Sequence, residues 1–319
     1  MSIGKLIGNT PMIKINYEFK GKKDSVYTKL EYYNYSGSIK DRIALYIIET
    51  SRKDGELKEG QSIVEVTSGN TGISFSAIGT YYGHEVHIFM PDWVSIERRK
   101  IIEMYGAHVH LVSKEQGGFK RALELAEEFA IENDAFRPLQ FDNELNPEAQ
   151  YKTTGEEIID AMPDVNAFVS GIGTGGTLMG IGKKLKDNNP NSKIFALEPS
   201  TLSILKMGME EGSHMIEGIG DDFIPGIVNE DLIDDIVLID DCDAINMSKR
   251  IASEFGLGIG ISSGANFLAS VLKNNDDLVM STVFADDNKK YITTKLSEKI
   301  DENPKLLSNQ IRLIDFEVI

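Results

Sequence analysis

The chain has 319 residues, 41% of them hydrophobic, and its 50 acidic against 33 basic residues give a net charge of −17. A surface this acidic argues against nucleic acid or an anionic membrane as a partner. The length predicts two subdomains or one large α/β unit. The single cysteine, Cys242, cannot form an intrachain disulfide, and no apolar stretch is long enough to span a membrane. These features together predict a cytoplasmic protein.

The N-terminal part of the chain predicts a β-hairpin followed by a helix. Residues 11–30 alternate in polarity around a charged turn at residues 20–24. A polar loop at residues 34–39 then leads into a helix with apolar periodicity, and Lys40 lies in its first turn. A lysine at that position is unfavourable to the helix dipole. Its placement therefore needs another reason.

From residue 62 onward, predicted strands alternate with predicted helices. The strands cover residues 62–66, 85–90, 108–112, 137–141, 193–197, 236–239 and 279–284. Helices are predicted to end near residue 82 and to cover residues 95–105, 118–133, 151–162 and 178–185. This alternation predicts a mostly parallel sheet covered on both faces. Ligands bind at the carboxyl ends of such strands, where the loops at 67–72, 140–143 and 171–177 are expected to meet.

The loop at residues 171–177 reads Gly-Ile-Gly-Thr-Gly-Gly-Thr and joins an apolar strand to a helix. Its backbone N–H groups and the helix dipole predict an anion pocket, which the absence of Cβ atoms leaves open. The loop also fits the dinucleotide fingerprint, with Glu198 placed for a ribose hydroxyl. However, the four small residues 173–176 favour a compact phosphate over a pyrophosphate. A dinucleotide site also leaves Lys40 and residues 67–72 unexplained.

A lysine amine close to a phosphate pocket suggests pyridoxal phosphate held as a Schiff base. Four motifs occur in order along the chain: NYSGSIKDR at 34–42, TSGNTG at 67–72, GTGGT at 173–177 and GISSGA at 260–265. This ordered set resembles the cysteine synthase (O-acetylserine sulfhydrylase) family, pyridoxal-phosphate enzymes of the tryptophan-synthase-β fold type. The resemblance extends from about residue 4 to about residue 295.

The resemblance implies an α/β fold of two packed three-layer αβα subdomains with mostly parallel sheets. The active site would lie in the cleft between them. The smaller subdomain would contain residues 1–11 and 35–144, with Lys40 and the substrate-carboxylate loop. The larger would contain residues 12–34 and 145–319, with the phosphate loop. A homodimer is also implied.

The resemblance further implies a role for each motif residue. Lys40 would hold the cofactor as an internal aldimine and then remove the Cα proton of the substrate. Asn70 would contact the 3′ oxygen of the cofactor, Ser262 would face its ring nitrogen, and the phosphate would be held by Gly173, Thr174, Gly175, Gly176 and Thr177. The substrate carboxylate would be bound by Thr67, Ser68, Gly69, Thr71 and Gln140. Elimination would leave an aminoacrylate, which a nucleophile attacks at Cβ.

Two of these residues also have plainer explanations. Lys40 on its own would be read as a solvated lysine in the first turn of a helix. Gln140 could simply cap the end of a strand.

Two departures from the family pattern bear on the reaction. Tyr35 stands where the family usually has proline, and Asp221 and Asp222 stand where it carries small uncharged residues. A carboxylate near the leaving group would repel acetate and hydrosulfide, yet would serve as a general base toward water or a thiol. We therefore predict β-elimination from L-cysteine with release of H2S, followed by addition of water (giving L-serine) or a thiol. The alternatives are that both aspartates face solvent, and that the chain makes cysteine from O-acetylserine and sulfide.

Three remaining features are expected to have no catalytic part. His108 and His110 alternate on a strand, but a third metal ligand is not evident, so no metal site is predicted. Cys242 has acidic neighbours that raise a thiol pKa and is read as incidental. The chain ends in Ile319, and the family binds serine acetyltransferase through that enzyme's C-terminal isoleucine. The resemblance thus implies serine acetyltransferase as a partner, while residues 315–319 are expected to form a final strand rather than visit a neighbouring cleft.

Overall fold

The computed structural model describes residues 3–209 and 211–319. Its strands are β1 (Met12–Phe19), β2 (Lys22–Leu30), β3 (Ile63–Val66), β4 (Val86–Pro91), β5 (His108–Val112), β6 (Ala167–Gly171), β7 (Lys193–Pro199), β8 (Asp235–Ile239), β9 (Met280–Phe284) and β10 (Ile311–Val318). Its α-helices are α1 (Lys40–Asp54), α2 (Asn70–Tyr81), α3 (Ile96–Met104), α4 (Gly118–Asn133), α5 (Leu145–Lys152), α6 (Thr154–Ala161), α7 (Gly176–Asn188), α8 (Ile204–Met207), α9 (Asp241–Phe255), α10 (Ile261–Lys273) and α11 (Leu307–Gln310). None of these described helices combines the length and the apolarity that a bilayer crossing needs.

The strands form two sheets. The larger sheet has seven strands in the order β10-β1-β2-β9-β6-β7-β8, and the smaller has three in the order β3-β4-β5. Pairing is parallel throughout the smaller sheet and from β2 to β8 in the larger one, whereas β1 pairs antiparallel with both neighbours. The sequence prediction of an α/β fold with mostly parallel sheets is confirmed.

Apolar side chains cover both faces of each sheet. In the larger sheet, α9 and α10 pack on one face and α7 on the other, and each face has its own buried cluster. In the smaller sheet, α1 and α2 lie on one face and α4 on the other. Strands buried on both faces carry little polar alternation, and β3 and β9 are buried at every position. Each sheet is therefore the middle of three layers.

The hairpin and the final strand form the antiparallel edge of the larger sheet. The hairpin predicted at residues 11–30 is confirmed as β1 and β2. Strand β10 pairs with β1, so that Val318 lies opposite Ile13 and the Ile319 N–H donates to the Met12 carbonyl over 3.0 Å. The C-terminal tail is thus the end of a strand, as expected. To enter a neighbouring cleft, it would have to leave the sheet.

Two predicted elements are wrong. Residues 137–141 do not form a strand: Phe136 makes a single bridge to Ile63, and the chain then turns through Leu139, which has φ +53°. Pro138 lacks the N–H that a sheet ladder requires. The helix predicted at residues 151–162 is two helices, α5 and α6, separated at Thr153 (φ −123°, ψ −82°). The hydroxyl of Thr153 donates to the Ala149 carbonyl over 2.6 Å, a local bond that competes with the helical ladder.

A buried ion-pair network ties α1 to the hairpin and to α6. Arg42 on α1 has a fully buried side chain and donates to both Glu31 oxygens, over 2.6 and 2.8 Å. It also donates to both oxygens of Glu157 on α6, over 2.6 and 2.8 Å. Lys29 on β2 lies 2.6 Å from Glu157. Four charges, two of each sign, thus neutralise one another away from water.

Replacing Arg42 with methionine is expected to lower the free energy of unfolding by about 3–5 kcal/mol, because Glu31 would remain buried without its partner. Urea unfolding of the purified protein measures the loss. The matched control is Arg312→Met, which removes an exposed arginine from its pair with Glu18. This control should lose far less stability. Equal losses of unfolding free energy in the two variants would contradict the conclusion that the buried partners of Arg42 depend on it.

Candidate active site

A cavity of about 760 Å³ opens between the two sheets, at the carboxyl ends of their parallel strands. Its wall contains most of the residues that the sequence singled out: Lys40, Thr67, Ser68, Gly69, Asn70, Thr71, Gln140, Gly173, Thr174, Gly175, Thr177, Asp221 and Ser262. Gly176 and Asp222 are described but do not line the cavity. Tyr35 is also absent from its wall and is 41% exposed. Residues from four distant motifs are therefore brought to one site.

Lys40 begins α1 and is held against the larger sheet by its neighbours. The Ile39 N–H donates to the Ala285 carbonyl over 2.9 Å, and Ser38 bridges to Asp286 just beyond β9. Burial lowers the pKa of Lys40 to about 8, while the negative charges of Asp221 and Asp286 oppose that shift. A lysine with a pKa this close to neutrality has the poised amine that Schiff-base chemistry and proton abstraction require.

The glycine-rich loop leads from β6 into α7. Gly175 has φ +87°, a backbone conformation that favours glycine. A Cβ on Gly176 would lie 1.9 Å from the Asn146 Oδ1, so this residue packs against α5. Asn146 also donates to the Thr174 hydroxyl over 2.9 Å, which fixes the loop from behind. The result is a set of loop amides at the positive end of a helix, and it fits a single phosphate group.

The loop before α2 and the Gln140 side chain form the opposite wall. The Thr67 hydroxyl accepts from the Gly69 N–H over 3.0 Å. Thr71 donates to the Gln140 Oε1 over 2.6 Å, and the Gln140 Nε2 donates to the Val66 carbonyl over 2.9 Å. These bonds orient hydroxyl and amide groups around the N-terminus of α2. Such an arrangement suits a carboxylate.

Two further predicted residues lie on either side of the cavity. Ser262 is in the first turn of α10, whose positive end disfavours a proton on a nearby ring nitrogen. Asn70 donates to the Asp286 Oδ2 over 2.8 Å and accepts from Lys290 over 3.0 Å. Its amide is thereby held in place. A serine hydroxyl and an oriented amide both suit the polar edge of a pyridine ring.

Sequence reasoning missed a charged network beneath the substrate loop. Arg98 on α3 pairs with Glu217 and lies 4.8 Å from the centre of the Tyr291 ring. Tyr291 donates to the Asp286 Oδ2 over 2.8 Å. The guanidinium also lies directly under Gly69, where a Cβ would come within 3.1 Å of it. Arg98 and Asp286 lie far apart along the chain, and none of the four motifs indicates that their segments meet.

Asp221 is the carboxylate of its pair that faces the cavity. Its pKa is raised to about 6, first by burial and then by the charge of Asp222, while His214 and Lys40 act in the opposite direction. The ring of His214 contacts the Gly220 carbonyl over 2.7 Å, and because a carbonyl only accepts, its Nε2 carries the proton. His214 therefore fixes the turn that presents Asp221. Asp222 is exposed.

The dinucleotide interpretation is wrong. The Glu198 carboxylate is fully engaged at the N-terminus of α8, where it accepts from the Ser203 hydroxyl over 2.6 Å and from the Ile204 and Leu205 N–H groups over 3.0 Å. A carboxylate committed to these donors is not available to a ribose. The two-sided cavity with Lys40 instead accounts for the glycine-rich loop and residues 67–72 together.

Comparison with known proteins agrees with this geometry. Residues 3–283 match the family described as pyridoxal-phosphate dependent enzyme. The chain is 39% identical over 300 residues to a cysteine synthase of Staphylococcus aureus, covering 92% of this chain and 96% of that one.

Two solved structures are closer still. A hydrogen sulfide-producing enzyme of Fusobacterium nucleatum has a TM-score of 0.95 at 45% identity, covering 99% of this chain and 97% of that one. An aspartate-to-asparagine mutant of that enzyme, in complex with an α-aminoacrylate intermediate, has a TM-score of 0.96 at 44% identity, covering 99% of this chain and 98% of that one. The chain therefore belongs to the pyridoxal-phosphate-dependent enzymes of the cysteine synthase family, and its cofactor is pyridoxal phosphate.

Proposed function

We propose that this enzyme cleaves L-cysteine by β-elimination, releases hydrogen sulfide and adds water at the β-carbon to give L-serine. The observation that carries the proposal is Asp221, a carboxylate in the wall of the same cavity as Lys40, with a pKa raised to about 6. Relatives described as hydrogen sulfide-producing enzymes support it. The overall reaction balances as cysteine plus water giving serine plus hydrogen sulfide.

The residues of the cavity divide between cofactor and substrate. Bound pyridoxal phosphate supplies the electron sink that makes loss of the Cα proton feasible. Its phosphate would be held by the loop amides of residues 173–177, its 3′ oxygen by Asn70, and its ring nitrogen would face Ser262. The substrate carboxylate would lie at the N-terminus of α2, within reach of the loop at residues 67–71 and of Gln140. This placement would leave the substrate Cα beside Lys40.

Lys40 would anchor the cofactor and then take the Cα proton. Its lowered pKa of about 8 leaves a substantial neutral fraction near neutral pH, as a base at carbon requires. The charges of Asp221 and Asp286 keep the protonated amine from becoming too unfavourable once it has accepted that proton.

Asp221 would act after sulfide has left. As an ionised carboxylate it would accept a proton from water while the water oxygen bonds to the β-carbon. The same charge would repel hydrosulfide, because like charges in a partly dry cleft repel strongly. Re-addition of sulfide would therefore be disfavoured and addition of a neutral nucleophile favoured.

Two other outcomes use the same site. A thiol could take the place of water and give a thioether, since a general base would activate it in the same way. The second candidate is cysteine synthesis from O-acetyl-L-serine and sulfide, which the cysteine synthases at 39% identity favour. In that reaction acetate leaves and hydrosulfide enters, and the negative charge of Asp221 would repel both anions. We therefore place it second.

We also propose a cytoplasmic homodimer in which residues 1–11 and 35–144 form the smaller subdomain and residues 12–34 and 145–319 the larger. The two separate sheets support this division, and the family resemblance supports the dimer. The free, exposed Cys242 suits a reducing compartment. Serine acetyltransferase would be a partner only under the second candidate, since it supplies O-acetylserine.

Mass spectrometry of the products tests the proposal. The holoenzyme is given L-cysteine alone in isotopically labelled water, and separately O-acetylserine with sulfide. We expect sulfide and serine from cysteine, with the labelled oxygen in the serine hydroxyl. A thioether formed only when thiol is added would identify the thiol as acceptor. Pyruvate in place of serine, or cysteine from O-acetylserine with no sulfide from cysteine, would contradict it.

A further inference from the structure

Three of the chain's five histidines lie on two adjacent strands of the smaller sheet. His87 is on β4, with Glu85 just before that strand, and His108 and His110 are on β5, the edge strand. The parallel register places His87 opposite His108. From the sequence, His108 and His110 lacked a third ligand. The pairing of β4 with β5 brings two more residues beside them.

The three side chains converge on one point. The His108 Nε2 lies 2.8 Å from the Glu85 Oε1, and the His87 Nε2 lies 3.6 Å from the same oxygen. The ligand atoms of Glu85, His87 and His108 all lie within 4.8 Å of one another. Ligands about 2.0–2.2 Å from a tetrahedral zinc ion are about 3.3–3.6 Å apart. Small side-chain rotations would therefore bring these atoms to binding distance.

The surroundings hold His87 in a ligating orientation. Its Nδ1 lies 3.1 Å from the His110 Nε2. With the proton of the ring on Nδ1, the unprotonated Nε2 of His87 would face Glu85 and could bind a metal ion. Its ring stacks on that of His108 at 4.8 Å and packs against Phe129 of α4 at 4.3 Å. A second residue that orients a ligating imidazole is a common feature of metal sites.

We propose that Glu85, His87 and His108 form a binding site for a divalent zinc-type ion, with His110 orienting His87 and water completing the coordination. Two imidazoles and one carboxylate suit Zn²⁺ and its neighbours, whereas Ca²⁺ and Mg²⁺ prefer oxygen ligands alone.

The ion would join the edge strand to the middle of the smaller sheet. It would lie at the amino ends of β4 and β5. The carboxyl end of β4 instead leads to Val94 and Ser95 in the cavity wall. The site therefore acts on the stability of the smaller subdomain and takes no part in the reaction.

Zinc binding by the tag-free, chelator-treated holoenzyme tests the site. Isothermal titration with Zn²⁺ is run without cysteine, because sulfide would precipitate zinc, and in a Cys242→Ser background, because Cys242 is an exposed thiol. We expect one ion per chain and a higher unfolding temperature with zinc. Glu85→Gln and His108→Asn should each weaken binding by at least about tenfold, and His110→Asn should do so by about tenfold through its effect on His87.

The controls separate the site from general surface binding. Glu132→Gln removes an exposed carboxylate from α4 and should leave the affinity unchanged. His108→Asp keeps a ligand at the position and should bind zinc more tightly than His108→Asn, which distinguishes a lost ligand from a damaged fold. Absence of binding to the parent protein, or binding that survives Glu85→Gln or His108→Asn unchanged, overturns the proposal.

Discussion

Replacing Lys40 with alanine is expected to lower sulfide release from L-cysteine by at least about 10⁴-fold, because the same amine anchors the cofactor and takes the Cα proton. The visible absorbance of the lysine-bound cofactor should be lost in the same variant. Both readouts follow from one side chain whose pKa burial lowers to about 8. Steady-state sulfide assays and absorbance spectra of the purified protein with added pyridoxal phosphate measure them.

The matched control is Lys53→Ala, which removes an exposed lysine from the same helix. It should leave both the spectrum and the rate unchanged. A Lys40→Ala protein that keeps the parent spectrum and more than about one-tenth of the parent rate would show that another amine carries the cofactor. Lys290 would then be the residue to replace next, because it is buried and contacts Asn70.

The sequence was enough to predict the fold class and, through the resemblance carried by the four ordered motifs, the cofactor. Strand and helix periodicity gave the alternating order, and glycines at positions such as Gly175 marked the turn that only a small residue fits. Lys40 stood out because a first-turn lysine opposes the helix dipole. Each of these signals depends on residues that are close together in the sequence. Each can therefore be recognised without knowing the three-dimensional structure.

Contacts between distant segments could not be read in this way. Arg98 reaches Glu217, which lies 119 residues further along the chain, and Glu31 and Glu157 meet at Arg42 from either side of it. His87 and His108 become neighbours only once β4 pairs with β5. Nothing in the spacing of these residues specifies their partners. The register of the sheets and the packing of helices on them do so.

Replacing Asp221 with asparagine is expected to lower steady-state sulfide release by about 10²–10⁴-fold, the usual contribution of a general base. The loss should have a distinct time course. Asp221 acts only when water adds, so the first turnover would still release sulfide. We expect a rapid burst of about one sulfide per active site, followed by the slow steady state. Rapid-mixing sulfide detection resolves the two phases.

Asp222→Asn is the control that separates the two neighbouring carboxylates. Asp222 is exposed, and its negative charge raises the pKa of Asp221. The pH profile of the parent enzyme should show two ionisations: one near 8 as Lys40 becomes neutral, and one near 6, which forms the acidic limb, as Asp221 loses its proton. Without the charge of Asp222, Asp221 ionises more readily, so the acidic limb should move to lower pH while the maximal rate stays near that of the parent. If Asp222→Asn instead loses as much activity as Asp221→Asn, or if Asp221→Asn shows no burst, water activation does not depend on Asp221.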